Sequence, residues 1–262
     1  MPGDTKTKHP QGLEIVFTES EHSYVDEYGV EYTSATTLVH RGFEEFDAEA
    51  TAARKSAKTG IPAEVYLREW DAIREDASEN GTRMHENCER QILGRYEEMH
   101  QPNDEEERKE FRAIWQEVEK IRSGGFRKLE PEKIIFSPRF RVAGSIDLLC
   151  TRGAGQYLIL DWKRVKEIRY EGFRGKRGTH NVATCHLPDC NFIHYSLQLS
   201  IYEQILKAEG YVEPDAIVGK WLNVYNRRTG CIEHIQCREL AREALLMMAW
   251  NVTSDGLDDV PF

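Results

Sequence analysis

Two acidic residues interrupt apolar stretches near the middle of this chain. Val142-Ala143-Gly144-Ser145-Ile146-Asp147 is followed by Ile159-Leu160-Asp161-Trp162-Lys163. A carboxylate inside a strand is costly unless it is paired or binds a metal. Asp161 and Lys163 are two apart, so on a strand they point to one face. Asp147 lies on the preceding strand, close enough in sequence to sit beside them. Two carboxylates and an ammonium converging at one sheet edge suit a hard divalent cation, Mg²⁺ or Mn²⁺. Such an ion polarises a phosphoryl oxygen and activates water. Lys163 then orients the nucleophile or meets developing negative charge. The plainer reading is an ordinary strand ion pair between Asp161 and Lys163.

Further residues carry the same chemistry outward. His85 and Glu89 are four apart and share a helix face, as do Gln198 and Tyr202. Each pair taken alone is compatible with a simple amphipathic helix. Leaving the Asp161 strand, the chain carries Lys163, Arg164, Lys166, Arg169, Arg174, Lys176 and Arg177, opposed only by Glu167 and Glu171. A flexible basic loop beside a metal site is what a phosphodiester substrate requires. Tyr170 and Phe173, interleaved with these charges, could stack on bases. The bland reading of the loop is a solvated segment without a specific task. His180, Cys185, His186, Cys190 and His194 fit no zinc spacing well, and none of the six cysteines forms a C-x-x-C pair. No iron–sulfur cluster is therefore expected.

These residues need elements to hold them. Residues 1–12 read as a flexible tail. Leu13–Phe17 and Ser23–Tyr32 read as strands around a turn, and Thr36 opens a helix. Pro62 to Asp76 has helical spacing at Val65, Leu67, Trp70 and Ile73. Asn80-Gly81-Thr82 breaks it, and Thr82 caps a second helix from Arg83 to Tyr96. Residues 104–122 form a helix with leading acids. Strands follow at Lys133–Ser137, Arg141–Cys150 and Gln156–Val165. Residues 166–194 are irregular, Tyr195–Glu209 is a helix, Lys220–Tyr225 and Cys231–Gln236 make a hairpin, and Arg238–Trp250 is the last helix. This order predicts one α/β domain with a mixed central sheet.

Composition narrows the function class. The 262 residues carry 35 basic and 45 acidic side chains, a formal charge of −10. That argues against a general nucleic-acid coat protein and leaves room for a local basic groove. With 40% hydrophobic residues a real core is possible. No run approaches 18 apolar residues, the first residues lack an apolar leader core, and the cysteines read as reduced thiols, so a cytoplasmic protein is expected.

In order, G-T-x-x-H at residues 81–85, G-x-x-D at 144–147, D-x-K at 161–163 and Q-x-x-x-Y at 198–202 resemble the RecB-like branch of the PD-(D/E)XK nucleases. Relatives include the RecB nuclease domain, the Cas4 family and the mitochondrial genome maintenance exonucleases. Asp161-Trp162-Lys163-Arg164, with the segment from His186 to Leu199, looks like the phage and large-virus members. The resemblance covers about residues 80–206. It implies a restriction-endonuclease-like domain with an αβββαβ core, a mixed sheet flanked by helices. It implies metal ligation by His85, Asp147, Asp161 and the backbone carbonyl of Trp162, with Asp147, Asp161 and Lys163 catalytic. Gln198 and Tyr202 match the motif that supports the site and contacts DNA, and Glu89 and the basic loop join them as supporting residues. The domain extends to 13–251: an N-terminal part 13–79, a core 80–206, and a hairpin and helix at 207–251, before an acidic tail at 252–262. The activity implied is a Mg²⁺- or Mn²⁺-dependent deoxyribonuclease, an exonuclease on single strands or ends, working in the cytoplasm of a host if viral. The alternatives are a non-catalytic nucleic-acid-binding module on the same fold, or a structure-specific endonuclease. A helix carrying His85 over the sheet edge, with residues 40–80 and 166–194 at the sides, would make a passage for one strand rather than an open cleft.

Overall fold

A mixed β-sheet runs through the molecule between two helical layers. The computed structural model describes residues 4–180 and 182–254. Its elements are β1 (Thr5–Lys8), β2 (Glu14–Thr18), β3 (Ser23–Asp26), β4 (Glu31–Ser34), α1 (Ala35–Arg41), α2 (Ala48–Thr59), α3 (Ala63–Ile92), α4 (Glu105–Ser123), β5 (Lys128–Ser137), β6 (Val142–Gly153), β7 (Gln156–Arg164), α5 (Asn191–Ala208), β8 (Ile217–Asn226), β9 (Cys231–Gln236) and α6 (Ala241–Ser254). The strand order is β1-β2-β3-β4-β6-β7-β8-β9, with β5 along the other side of β6. β4 with β6 and β7 with β8 are parallel; the remaining neighbours are antiparallel. The parallel β7–β8 pair needs a crossover, and α5 supplies it. Thus α3, β5, β6, β7, α5 and β8 follow in αβββαβ order, with α4 inserted.

Each face of the sheet has its own apolar cluster. On one side Leu38 and Val39 of α1, Leu197 and Ile201 of α5, and Met247 of α6 pack on Ile135, Ile146, Ile159 and Leu222. On the other, Met84 and Cys88 of α3 and Ile114 and Val118 of α4 pack on Leu148, Leu160 and Trp162. Strand alternation therefore sends Leu160 and Trp162 toward α3 and α4, and Ile159, Asp161 and Lys163 toward α5.

Several sequence expectations need correction. The stretch Asn80-Gly81-Thr82 does not end a helix, and Thr82 is not a cap: α3 is continuous over 30 residues, about 45 Å at 1.5 Å per residue. Gly81 costs it about 1 kcal/mol relative to Ala. Side chains brace that point, since Asn80 Nδ2 donates to Asp76 O at 2.6 Å and Arg83 reaches both Asn80 Oδ1 and Glu107 at 2.6 Å. The N-terminal tail is partly sheet: Thr5–Lys8 pairs with β2. His9, 3% exposed, packs its ring on Phe136 and Tyr211 and anchors that strand. α2, which no apolar periodicity marks, is an alanine-rich helix capped by Asp47 onto Ala50 N. α5 starts at Asn191, four residues before the expected Tyr195, because Asn191 is tied to Glu167 O and Arg169 N. Residues 1–3 of the expected tail, and 255–262 of the acidic tail, lie outside the described residues.

Segment 166–190 is irregular as expected, but it is not a free loop. Thr179 N and Thr184 Oγ1 both donate to Gly42 O at the end of α1, at 2.8 and 2.6 Å. Gly178 has no room for a side chain, since a Cβ there would lie 2.4 Å from Thr184.

Candidate active site

The site forms where β6 and β7 part company. Their ladder runs down to Leu148↔Leu160 and stops. One residue further, the Trp162 amide donates to the Asp147 carboxylate at 2.7 Å, replacing a backbone partner with a side chain. This frees the Trp162 carbonyl. His85 of α3 reaches it, its Nε2 standing 3.0 Å from that oxygen. The other ring nitrogen, Nδ1, lies 3.5 Å from Asp147 Oδ2 and 3.9 Å from Glu132 Oε1.

Glu132 was not among the residues singled out by sequence. Its ligand atom, with those of His85 and Asp147, falls within 4.8 Å of the others, a geometry able to hold a metal ion. The β5–β6 register passes from Pro131↔Leu148 to Lys133↔Ile146, which sets Glu132 opposite Asp147. Its backbone there is left-handed, with φ 45°, a conformation costing an ordinary residue of order 1–3 kcal/mol. Ser145 Oγ donates to its Oε2 at 2.9 Å, turning Oε1 toward His85. The usable signal was an acid in a strand that begins at Lys128, five residues before the expected Lys133.

Asp161 stands apart from that cluster. It is 2% exposed, and its Oδ2 lies 2.7 Å from Lys163 Nζ in an ion pair without a directed hydrogen bond. The Lys163 ammonium also lies over the Tyr195 ring, 4.9 Å from its centroid. Burial pulls the Lys163 pKa down, but the charges of Asp161 and Asp147 outweigh it and hold the ammonium charged. Burial pushes Asp161 up to about 6 despite Lys163, with Asp147 adding to the rise. Burial, with Asp147 second, pushes Glu132 up to about 8. Three carboxylates crowded against one ammonium repel one another, and a divalent cation among them would relieve that repulsion. The Trp162 carbonyl, 3.0 Å from His85 Nε2, would add a further oxygen to such a site.

The supporting residues sort differently than expected. Glu89 is half-buried one turn beyond His85, outside the cluster, with its carboxyl raised chiefly by burial. Tyr202 is 4% exposed, and Gln198 Nε2 donates to its hydroxyl at 2.9 Å. Its ring lies on Gly144, where a Cβ would come within 2.5 Å of Cε1. That contact explains the glycine of G-S-I-D and braces β6 against α5. Buried in this way, Tyr202 has no surface for DNA, which corrects that part of the expectation. Arg164 is also turned inward. Its side chain is 8% exposed and its Nε lies 2.7 Å from buried Glu110 on α4, so it is a core ion pair rather than a DNA contact. Lys166, Arg169, Arg174, Lys176 and Arg177 are exposed. Arg177 turns back to His186 O at 2.6 Å, Lys176 pairs with Glu44 and Arg169 with Glu167, each at 2.7 Å. Cys88 and Cys150 pack in the cluster under α3 and α4, and Cys190 and Cys237 in the one under α5. Among the described residues no helix is long and apolar enough to cross a membrane.

A family model described as the PD-(D/E)XK nuclease superfamily matches residues 22–245. No curated protein matches the chain. Among solved structures, a candidate exonuclease of Eubacterium rectale is similar at 15% identity and a TM-score of 0.31, over 54% of this chain and 52% of that one. A protein designated SSO0001 is similar at 14% identity and a TM-score of 0.31, over 69% of this chain and 76% of that one. The chain thus spans about half the length of the first structure and about three quarters of the second.

Proposed function

Because the chain belongs to the PD-(D/E)XK nuclease superfamily, we propose that it is a Mg²⁺- or Mn²⁺-dependent deoxyribonuclease, an exonuclease acting on single strands or DNA ends. The observation that carries this reading is the convergence of His85, Glu132, Asp147 and the Trp162 carbonyl next to the Asp161–Lys163 pair.

His85, Asp147, Glu132 and the Trp162 carbonyl would hold the cation, with Asp161 beside them. When bound, it supplies polarisation of a phosphoryl oxygen and an activated water. The chain's own part is positional and electrostatic. Ser145 fixes Glu132, and the Trp162 amide fixes Asp147. Asp161 and the Tyr195 face hold Lys163 in place as a charged donor, able to orient the attacking water and to meet negative charge building on the phosphate. The presence of the full set, with no member replaced, favours an enzyme over a binding module that has lost its chemistry.

Exonuclease action rests on the position of His85, on a helix that covers the sheet edge, and on α2 and segment 166–190 beside it. The likeness of residues 161–164 to phage and large-virus nucleases supports a role in viral DNA replication, recombination or repair, in the host cytoplasm. The test compares end-labelled linear single-stranded DNA with a circle of the same sequence, in Mg²⁺, Mn²⁺ and EDTA. Linear strands should shorten to small products while circles survive, and EDTA should stop the reaction. Equal loss of circle and linear strand would identify an open-cleft endonuclease.

A further inference from the structure

A second feature lies beyond the metal site. A cleft of about 500 Å³ opens between α2 and segment 173–176, within the roughly 300–1,000 Å³ usual for ligand sites. Its walls carry Arg54, Lys55 and Lys58 from α2 and Arg174 and Lys176 from the facing segment. In a chain with a formal charge of −10, five cations on one cleft form a local reversal of sign. Of the three acids in the same walls, Glu44 is paired with Lys176 and Asp47 is turned onto the first turn of α2, which leaves Glu45 to set against Arg54, Lys55, Lys58 and Arg174.

Two large aromatic rings stand open in this cleft. Phe46 is 65% exposed and Phe173 is 68% exposed. Phe46 stands edge-to-face with Trp70, ring centroids 5.6 Å apart, and a wall combining largely exposed rings with Arg and Lys suits unpaired bases and their phosphates. The cations are held rather than loose. Arg54 is tied to Ala50 O and Thr51 Oγ1 at 3.2 and 3.0 Å. Lys55 sits over the rings of Tyr66 and Trp70, at 4.6 and 5.2 Å. Arg174 lies 5.2 Å over Phe173, in a left-handed turn.

The cleft adjoins a second cavity at Phe173 that lies on the strand and helix bearing Lys163 and Tyr195. That cavity includes Val165, two residues past Lys163, and His194 at the start of α5, one residue before Tyr195. Resting on the nuclease reading, we propose that the α2 cleft is the track for single-stranded nucleic acid running to or from the metal site. Phe46 and Phe173 stack on bases, and Arg54, Lys58 and Arg174 take phosphates. Duplex does not fit this chemistry, because its bases are not available to stack.

The test uses the full chain in EDTA, so that nothing is cut, and fluorescein-labelled oligo(dT) of 20 nucleotides. Phe46→Ala with Phe173→Ala should weaken binding about 5- to 150-fold per stacked base, the range that stacking of roughly 1–3 kcal/mol implies. Arg54→Glu with Lys58→Glu should weaken it and flatten its salt dependence, while blunt duplex binds weakly to every form. Hydrolysis of bis(p-nitrophenyl) phosphate, a diester too small to need the cleft, should be unchanged in Mn²⁺. Unchanged oligo(dT) binding in both double variants, or duplex binding as tight as single strand, would overturn the proposal. Failure of wild type to hydrolyse the small diester would count against the nuclease reading instead, and leaves the binding result to decide the cleft.

Discussion

His85 and Trp162 meet through one contact, an imidazole nitrogen 3.0 Å from a backbone carbonyl across 77 positions of sequence. A carbonyl only accepts, so an imidazole N–H or a bound cation must lie between these two atoms, while Nδ1 faces Asp147 and Glu132 at 3.5 and 3.9 Å. The same contact joins the outermost helix residue of the site to the strand that bears Asp161 and Lys163. It makes α3 part of the site and not merely its cover.

The first prediction follows from that crowding. Glu132→Gln or Asp147→Asn should remove much of the stabilisation that Mn²⁺ gives the wild-type chain in a thermal melt. A cation at 100 times its Kd stabilises by about 2.7 kcal/mol, and each kcal/mol is about 2–4 °C for a chain of this size. A full Mn²⁺ shift in Glu132→Gln would remove Glu132 from the ligand set.

A pH dependence comes next. Glu132 titrates near 8 in the folded chain, against 4.5 when unfolded. The folded state therefore keeps a proton that the unfolded state has lost. The stability contributed by this group is greatest below pH 4.5 and is lost as pH rises toward 8. Asp161, raised to about 6, adds a loss in the lower part of that window. In EDTA the wild-type melting temperature should drop between pH 5 and pH 8, and Glu132→Gln should show a shallower drop. Parallel curves for the two proteins would contradict this assignment of the proton.

The Asp161–Lys163 pair makes a contrasting case. Lys163→Met leaves the Asp161 carboxylate, 2% exposed, without its near partner, so the melt should fall. Loss of one member of a buried pair costs about 3–5 kcal/mol, whereas replacing both with apolar groups is often neutral. Asp161→Asn with Lys163→Met should regain much of the lost stability and remain inactive. A double variant no more stable than Lys163→Met would show that the pair is not what the melt reports.

Arg164 and Lys166 should separate by assay. Arg164→Ala breaks the ion pair with Glu110 and should lower the melting temperature, with little change in the salt slope of DNA binding. Lys166→Ala should do the opposite and reduce the slope by about 0.7 on single strands. Equal effects on the slope would place Arg164 at the surface after all.

The strand residues of the site were legible in sequence because strands have a period of two. Asp161 and Lys163 had to share a face, whereas the packing of the Tyr202 ring on Gly144 is visible only in the structure. Glu132 was hidden by a local irregularity: a left-handed residue with no regular ladder partner follows no period. Arg164 was misread because its partner, Glu110, lies 54 positions earlier on another helix, and charge counted along a loop cannot show which side chain turns inward. The break expected at Asn80 failed for a related reason. Asp76, Asn80, Arg83 and Glu107 hold α3 together by side-chain contacts, which outweigh the weak helix propensities of Asn and Gly. α2 has too few apolar residues for periodicity to reveal it, and it is visible only through its Asp47 cap and its packing on α3.

The most direct measurement is cleavage of an end-labelled linear single strand in Mn²⁺ by wild-type chain, Asp161→Asn and Lys163→Ala, each confirmed folded by its thermal melt. The account predicts that wild type degrades the strand, that EDTA abolishes the reaction, and that both variants are reduced at least about 100-fold, the lower range of a positioned acid–base or electrostatic group. Wild-type activity in either folded variant would contradict it.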